Sequence, residues 1–126
     1  MDTLLQSPNV RGGMLYLHIN GRRYDAKGDF TYSLGTPKMK AIIGADGVHG
    51  MSTEAQAPYI EGKITDEHNL PLKVLFTARD ATVTLELSNG KTVVLVGAWY
   101  AADSKVTTKE GEVDVKFEGL FAEEIM

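Results

Sequence analysis

The chain contains no cysteine, which excludes disulfides, thiolate metal sites and a cysteine nucleophile. That lack fits a cytosolic or virion protein. Long apolar runs are missing as well. Nothing approaches the ~20 residues of a membrane-spanning helix, and the opening MDTLLQSPNVRGG has no charged-then-apolar order of a signal peptide. A basic tract is also absent: the formal net charge is -4, with Lys and Arg scattered among acids. Proteins that grip DNA phosphates usually show a basic stripe. With 126 residues the chain has the size of one ordinary domain, long enough to bury a single core without metal or disulfide staples.

What is present is β pattern, clearest in TVTLELSNGKTVVLVGAWY, residues 82–100. Val83, Leu85 and Leu87 alternate with Thr82, Thr84, Glu86 and Ser88, the period of a strand with one buried face. Asn89-Gly90 follows, a pair suited to a two-residue type I′ turn. The chain returns through Thr92, Val93, Val94, Leu95 and Val96. A two-residue turn sets Leu87 against Thr92, Leu85 against Val94 and Val83 against Val96. In that register Val93 and Leu95 fall on the second, more polar face, as candidates for contact with another element or another subunit.

Taken in order, residues 1–12 read as an N-terminal arm, broken by Pro8 and Gly12-Gly13, and residues 13–126 as a single β domain. Met14 to Ile19 is a strand candidate, with Asn20-Gly21 as a turn into Arg22 to Asp25. GDFTYSL, residues 28–34, alternates Phe30, Tyr32 and Leu34 against polar residues, and Lys38 to Ile43 resumes an extended pattern. GADGVHGMSTEAQAP, residues 44–58, has little apolar periodicity and a glycine at every third position near its start. A loop of that length is a functional loop or a protruding hairpin. Tyr59 to Thr65 returns to strand. Asn69 as cap, Pro71 in the first turn, and Leu72, Leu75, Phe76 and Ala78 at helical spacing predict one short helix over about residues 70–78. Val113, Val115 and Phe117 alternate with acids and a lysine in the last expected strand, after which Ala122-Glu123-Glu124 forms an acidic tip. The expected fold class is mainly β: an antiparallel β-sandwich or partly closed β-barrel with one short flanking helix.

The chemistry of catalysis is thin. His49 lies three residues after Asp46, a chelating spacing, but no second histidine and no cysteine accompany it, so a polar loop residue is the better reading. GADGVHG has neither the GxGxxG spacing nor the GK[ST] ending of a phosphate cradle. None of Ser7, Ser33, Ser52, Ser88 and Ser104 sits in a nucleophile elbow. Glu110 with Glu112, or Glu123 with Glu124, reads as a solvated acidic turn. No catalytic, cofactor-binding or metal-binding residue is assigned, and no enzyme activity or cofactor is expected. Tyr16, Tyr24, Tyr59, Trp99 and Tyr100 are either edge-of-core residues or part of a protein interface.

The ordered set ITDEHNLPLKV, DATVTLELSNGKTVVLVGAW and EGEVDVKFEG, preceded by YSLGTPKMKAIIGADGVHGMSTEAQAPYIEGKI, resembles the tail tube proteins of Mu-like contractile-tailed phages. The likeness runs over roughly residues 14–122. It implies a virion subunit whose six copies form a ring, with rings stacking into a tube that conducts DNA without specific binding. Implied partners are further copies of the chain, the tail sheath, tape measure, tail terminator and baseplate hub proteins, with no membrane contact and with assembly in the host cytoplasm. A β-sandwich binding or adaptor module of a phage tail or secretion system, forming no tubes, is the alternative. For a tube subunit, the glycine-rich stretch is expected to touch a neighbour, with Asp46, Val48, His49, Met51, Glu54, Val93 and Leu95 as candidate inter-subunit contacts. A conduit for DNA is expected to be acidic or neutral inside, since each inward cation adds affinity for phosphate. The alternating acids Glu86, Glu112, Asp114 and Glu118 are the candidates to face the lumen, unless they coat the exterior.

Overall fold

The computed structural model describes residues 15–103 and 105–126; the N-terminal arm expected over residues 1–12 lies outside them. Alternation of apolar and polar residues sets most elements. In β6 (Ala81–Glu86) and β9 (Glu112–Glu118) every second side chain is buried. The others are β1 (Tyr16–Ile19), β2 (Arg22–Ser33), β3 (Lys38–Gly44), β4 (Gly47–Glu54), β5 (Tyr59–Thr65), β7 (Thr92–Tyr100), the two-residue β8 (Val106–Thr107) and β10 (Phe121–Ile125). A five-residue helix, α1 (Leu72–Phe76), lies between β5 and β6.

Six strands close on themselves in the order β7-β6-β1-β2-β5-β9, with β9 pairing back onto the end of β7. Every pairing is antiparallel, and β10 adds to the outside of β7. The fold is thus mainly β, a closed antiparallel barrel with an extra strand and a short helix. Closing so small a barrel requires strands that turn corners. One is β2, whose register against β5 shifts between Lys27 and Thr31. The other is β7, where Gly97 has a φ of 63°. The side chain of Leu120 lies over Gly97, and a Cβ there would come within 2.8 Å of it.

The barrel is filled from all sides. Leu17, Ile60, Ile64, Val83, Leu85, Val93, Leu95, Val113 and Phe117 are fully or almost fully enclosed, and Leu75 of α1 belongs to the same core. The helix is shorter than the expected 70–78. Pro71 rather than Asn69 stands at its N-cap, with no side-chain cap hydrogen bond; the Asn69 carbonyl accepts a hydrogen bond from Arg22 instead.

The hairpin register differs from the expected one. Leu85 stands opposite Val93 and Val83 opposite Leu95, one residue away from the register of a two-residue turn. The connection is the three-residue Ser88–Gly90, closed by Leu87 N–H donating to the Lys91 carbonyl at 2.9 Å. Asn89 spends its side chain on the Lys91 N–H at 3.0 Å, and only Gly90 of the two turn residues adopts positive φ. Such three-residue loops, with glycine in the left-handed position, are the next commonest after I′ and II′. The slip reverses the faces: Val93 and Leu95, expected to meet another subunit, are fully buried core residues. The I′-like geometry occurs at the other Asn-Gly pair, where Asn20 and Gly21 have φ of 51° and 86° and join Ile19 to Arg22.

Tyr100 closes the barrel seam. Its ring packs against Phe76 and Phe117, and its hydroxyl donates to the Asp114 carbonyl at 2.7 Å. Burial, reinforced by Asp114 and Asp103, pushes its pKa up to about 12. The folded state therefore holds this proton more tightly than the unfolded chain does. Its contribution is complete below about pH 10, the unperturbed tyrosine value, and is lost as pH rises towards 12. Urea unfolding over that window is expected to show an alkaline loss that Tyr100→Phe reduces; identical profiles for both proteins would exclude the assignment.

Candidate assembly surfaces

Two features stand outside the barrel's own needs. The first is a β-ribbon. β2 and β5 lead into β3 and β4, which among the described residues pair only with each other. The crossing point is tight: Gly35, at φ 77°, lies so close to Pro58 that a Cβ would approach its ring within 2.8 Å. The stretch expected as a glycine-rich loop is thus mostly strand, turned at Ala45-Asp46. Opposed residues share a face, so Met39, Ala41, Ile43, Val48, Met51 and Thr53 form one side of the ribbon. Ile43 is 76% and Val48 71% exposed. A two-stranded ribbon with one apolar side that no described residue covers is marginal in water.

At the ribbon tip His49 is the bulged residue, skipped between the pairs Ile42–Gly50 and Ile43–Val48. Its ring lies over Gly44, where any Cβ would collide with it, and its Nε2 meets the Asp46 carboxylate. Among the described residues no third metal-ligating side chain joins this pair. Glu54 at the base holds Lys40 at 2.9 Å. The candidate residues Asp46, Val48, His49, Met51 and Glu54 therefore sit together on this one projection. Sequence reasoning missed Met39, Ala41 and Ile43 as exposed residues. Their signal was the apolar Ala41-Ile42-Ile43 run leading directly into glycine.

The second feature is the outer face of β2, β5 and β9. Glu112, Asp114 and Glu118 project from β9 between buried Val113, Val115 and Phe117, so three of the four candidate acids share one face. Lys27, Lys63 and Lys116 interleave with them. Lys63 contacts Glu112 at 3.5 Å and Asp114 at 3.6 Å, Lys27 contacts Glu112 at 3.6 Å, and Lys116 reaches Glu118 at 4.0 Å. The field of Asp114, then of Glu112, raises the Lys63 pKa. Lys116 also lies over the Tyr59 ring, 5.0 Å from its centre. Glu86 is not part of this face. It projects from β6 beside His18, whose Nε2 it meets, on the other side of the barrel from β5.

A family model described as phage tail tube protein matches residues 8–124. The chain belongs to the phage tail tube protein family. Two solved structures share this tail tube protein's fold at very low sequence identity. One is a sheath/tube terminator of an extracellular contractile injection system, PVC, in its extended state. It has a TM-score of 0.69 and 6% identity, over 95% of this chain and 99% of that one. The other is the tube terminating cap of the anti-feeding prophage, with a TM-score of 0.64, 8% identity, and 95% of each chain covered. No curated protein matches. Membership of this family makes the chain a structural tail component.

Proposed function

We propose that this tail tube protein self-assembles into stacked six-membered rings that form the inner tube of a contractile tail, through which DNA leaves the virion. The observation that carries the reading is the β3–β4 ribbon: a paired, amphipathic projection whose apolar side is left open among the described residues. Such a side is stable only when covered, and a partner identical to itself is always at hand during assembly. Sheath, tape measure, terminator and baseplate hub proteins are the further partners of a tube so built, put together in the host cytoplasm. Electron microscopy of the purified protein tests the reading. Stacked rings or tubes are expected; a dispersed monomer at high concentration would refute it.

The β2-β5-β9 face is the proposed wall of the bore. Its lysines are each within reach of a carboxylate, so it offers DNA little uncompensated positive charge, and affinity for phosphate depends on such charge. Reversing Asp114 to Lys removes one partner of Lys63 and adds a fourth lysine to the face. Tubes of normal dimensions that eject DNA poorly are expected, with the defect easing at higher salt. Normal ejection at low salt would move the wall elsewhere.

A second reading has an observation of its own. The two solved structures named above are proteins that end a tube. A terminator would form single rings that do not stack, which the same microscopy distinguishes.

A further inference from the structure

The chain holds two Asn-Gly pairs, Asn20-Gly21 and Asn89-Gly90, and the fold treats them differently. In this dipeptide the side-chain amide is open to attack by the following backbone nitrogen, because glycine has no Cβ to obstruct the approach. Both pairs lie in hairpin turns and are exposed. What separates them is where their restraints are anchored.

Asn20 is tied to a distant strand. Its N–H donates to the Thr82 carbonyl at 2.9 Å, and its Oδ1 accepts from the Thr82 N–H at 3.0 Å. It follows buried Ile19 on β1, which pairs with β2 on one side and β6 on the other. Freeing this amide therefore requires β1 to part from β6. Among the described residues, the bonds that hold Asn89-Gly90 come from its own loop. The Asn89 Oδ1 accepts from the Lys91 N–H at 3.0 Å, and the Gly90 N–H donates to the Leu87 carbonyl at 3.1 Å. Fraying of the loop breaks both bonds and leaves the pairing of Glu86 with Thr92, and all beyond it, in place. Such local opening costs far less than parting strands of the core.

We propose that Asn89 is a site of spontaneous modification, at which the folded protein converts a side-chain amide to a carboxylate without an enzyme. The Gly90 nitrogen bonds to the Asn89 Cγ, the Cγ–Nδ2 bond breaks, and ammonia leaves with the proton of the Gly90 N–H. The product is a five-membered imide. Water then opens it at either carbonyl, leaving an aspartate, or an isoaspartate whose main chain is one carbon longer. Nothing is oxidised or reduced. The change bears on the neighbouring strand. Lys91 holds Glu124 of β10 at 3.1 Å, and Ile125 of β10 pairs with Thr92. A new carboxylate at position 89 offers the Lys91 ammonium a second acceptor, and an added main-chain carbon loosens the loop that positions it. β10 is then released from β7 more readily as the protein ages.

Peptide mapping by mass spectrometry of the dilute, folded chain, sampled over days in neutral buffer, tests the site. Aspartate and isoaspartate are expected to form at position 89 at least about tenfold faster than at position 20, a ratio equal to about one hydrogen bond's net worth. In urea the two positions are expected to react alike, since they carry the same dipeptide. An unreactive Asn89, or a rate no higher than that at Asn20, would overturn the assignment. The same ratio in urea would trace the difference to sequence rather than fold, and would overturn it too. Hydrogen exchange tests the consequence. The β10 amides of aged protein are expected to exchange faster than those of fresh protein. Those of aged Asn89→Gln are expected to stay unchanged, because glutamine closes to the larger imide far more slowly. Modification at position 89 with β10 exchange unaltered would overturn the link to β10.

Discussion

Leu95→Ala is expected to destabilise the fold by about 2–5 kcal/mol, a large part of the ~5–15 kcal/mol by which domains are typically stable. Leu95 is fully enclosed. It stands opposite Val83 on one side and Ala122 on the other. Its side chain also fills the space at Gly119, where an added Cβ would lie 2.8 Å from it. Removing its isobutyl group leaves a cavity bounded by backbone and by stiff β-branched neighbours, which collapse poorly into such a gap. The measurement is urea unfolding of the monomer, made in a background that does not assemble so that association cannot mask the loss. The alternative register, with Leu95 on an outer face, makes the opposite forecast: an unchanged unfolding midpoint and a loss of assembly alone. An unchanged midpoint would therefore contradict the observed pairing of β6 with β7.

That residue also marks where the sequence stops being decisive. Alternation in residues 82–87 and 112–118 identified two strands and their buried faces correctly, because a period of two survives whatever the partner strand is. The register between β6 and β7 did not follow, because Asn-Gly fits either a two-residue I′ turn or a glycine-closed three-residue loop. A single hydrogen bond from Lys91 N–H to the Asn89 side chain accompanies the second form. One residue of slip was enough to exchange core for surface at Val93 and Leu95. The ribbon was hidden for another reason. Its strands KMKAIIG and GVHGMSTE are exposed except at the half-buried Gly44, so burial within the monomer imprints no clear alternation on them, and glycines at 44, 47 and 50 read as loop. Strand β10 was read as an acidic tip because Glu123-Glu124 outweighed Phe121 and Ile125. The acids of β9 were legible as a set, since Glu112, Asp114 and Glu118 share the parity of one strand, whereas their compensation by Lys27 from β2 and Lys63 from β5 depends on long-range pairing. Glu86, of the same parity pattern but on β6, lies on a different part of the surface for that reason.

Replacing Ile43 and Met51 together by glutamate is expected to abolish assembly while leaving the subunit folded. Both side chains are largely exposed, Ile43 at 76% and Met51 at 58%, and both belong to the apolar side of the ribbon, which contributes nothing to the barrel core. Exposed substitutions of this kind usually change stability by within about 0.5 kcal/mol. The cost in assembly is of another order. Fully burying one Ile or Met side chain contributes roughly 1.5–3 kcal/mol, so covering both on association provides several kcal/mol per contact. The double variant removes that gain and asks for two carboxylates to be buried without partners, which is unfavourable by more again. At ~1.4 kcal/mol per tenfold change in affinity, the concentration required for assembly should rise by at least about a hundredfold. Sedimentation velocity distinguishes monomer from ring and tube, and circular dichroism with thermal unfolding establishes that the barrel persists. The result has two informative failures. If the double variant still forms full-length tubes, the ribbon's apolar side is not an assembly surface and the tube must be held by other contacts. If it unfolds, that side packs on the barrel in solution and the ribbon is part of the core after all.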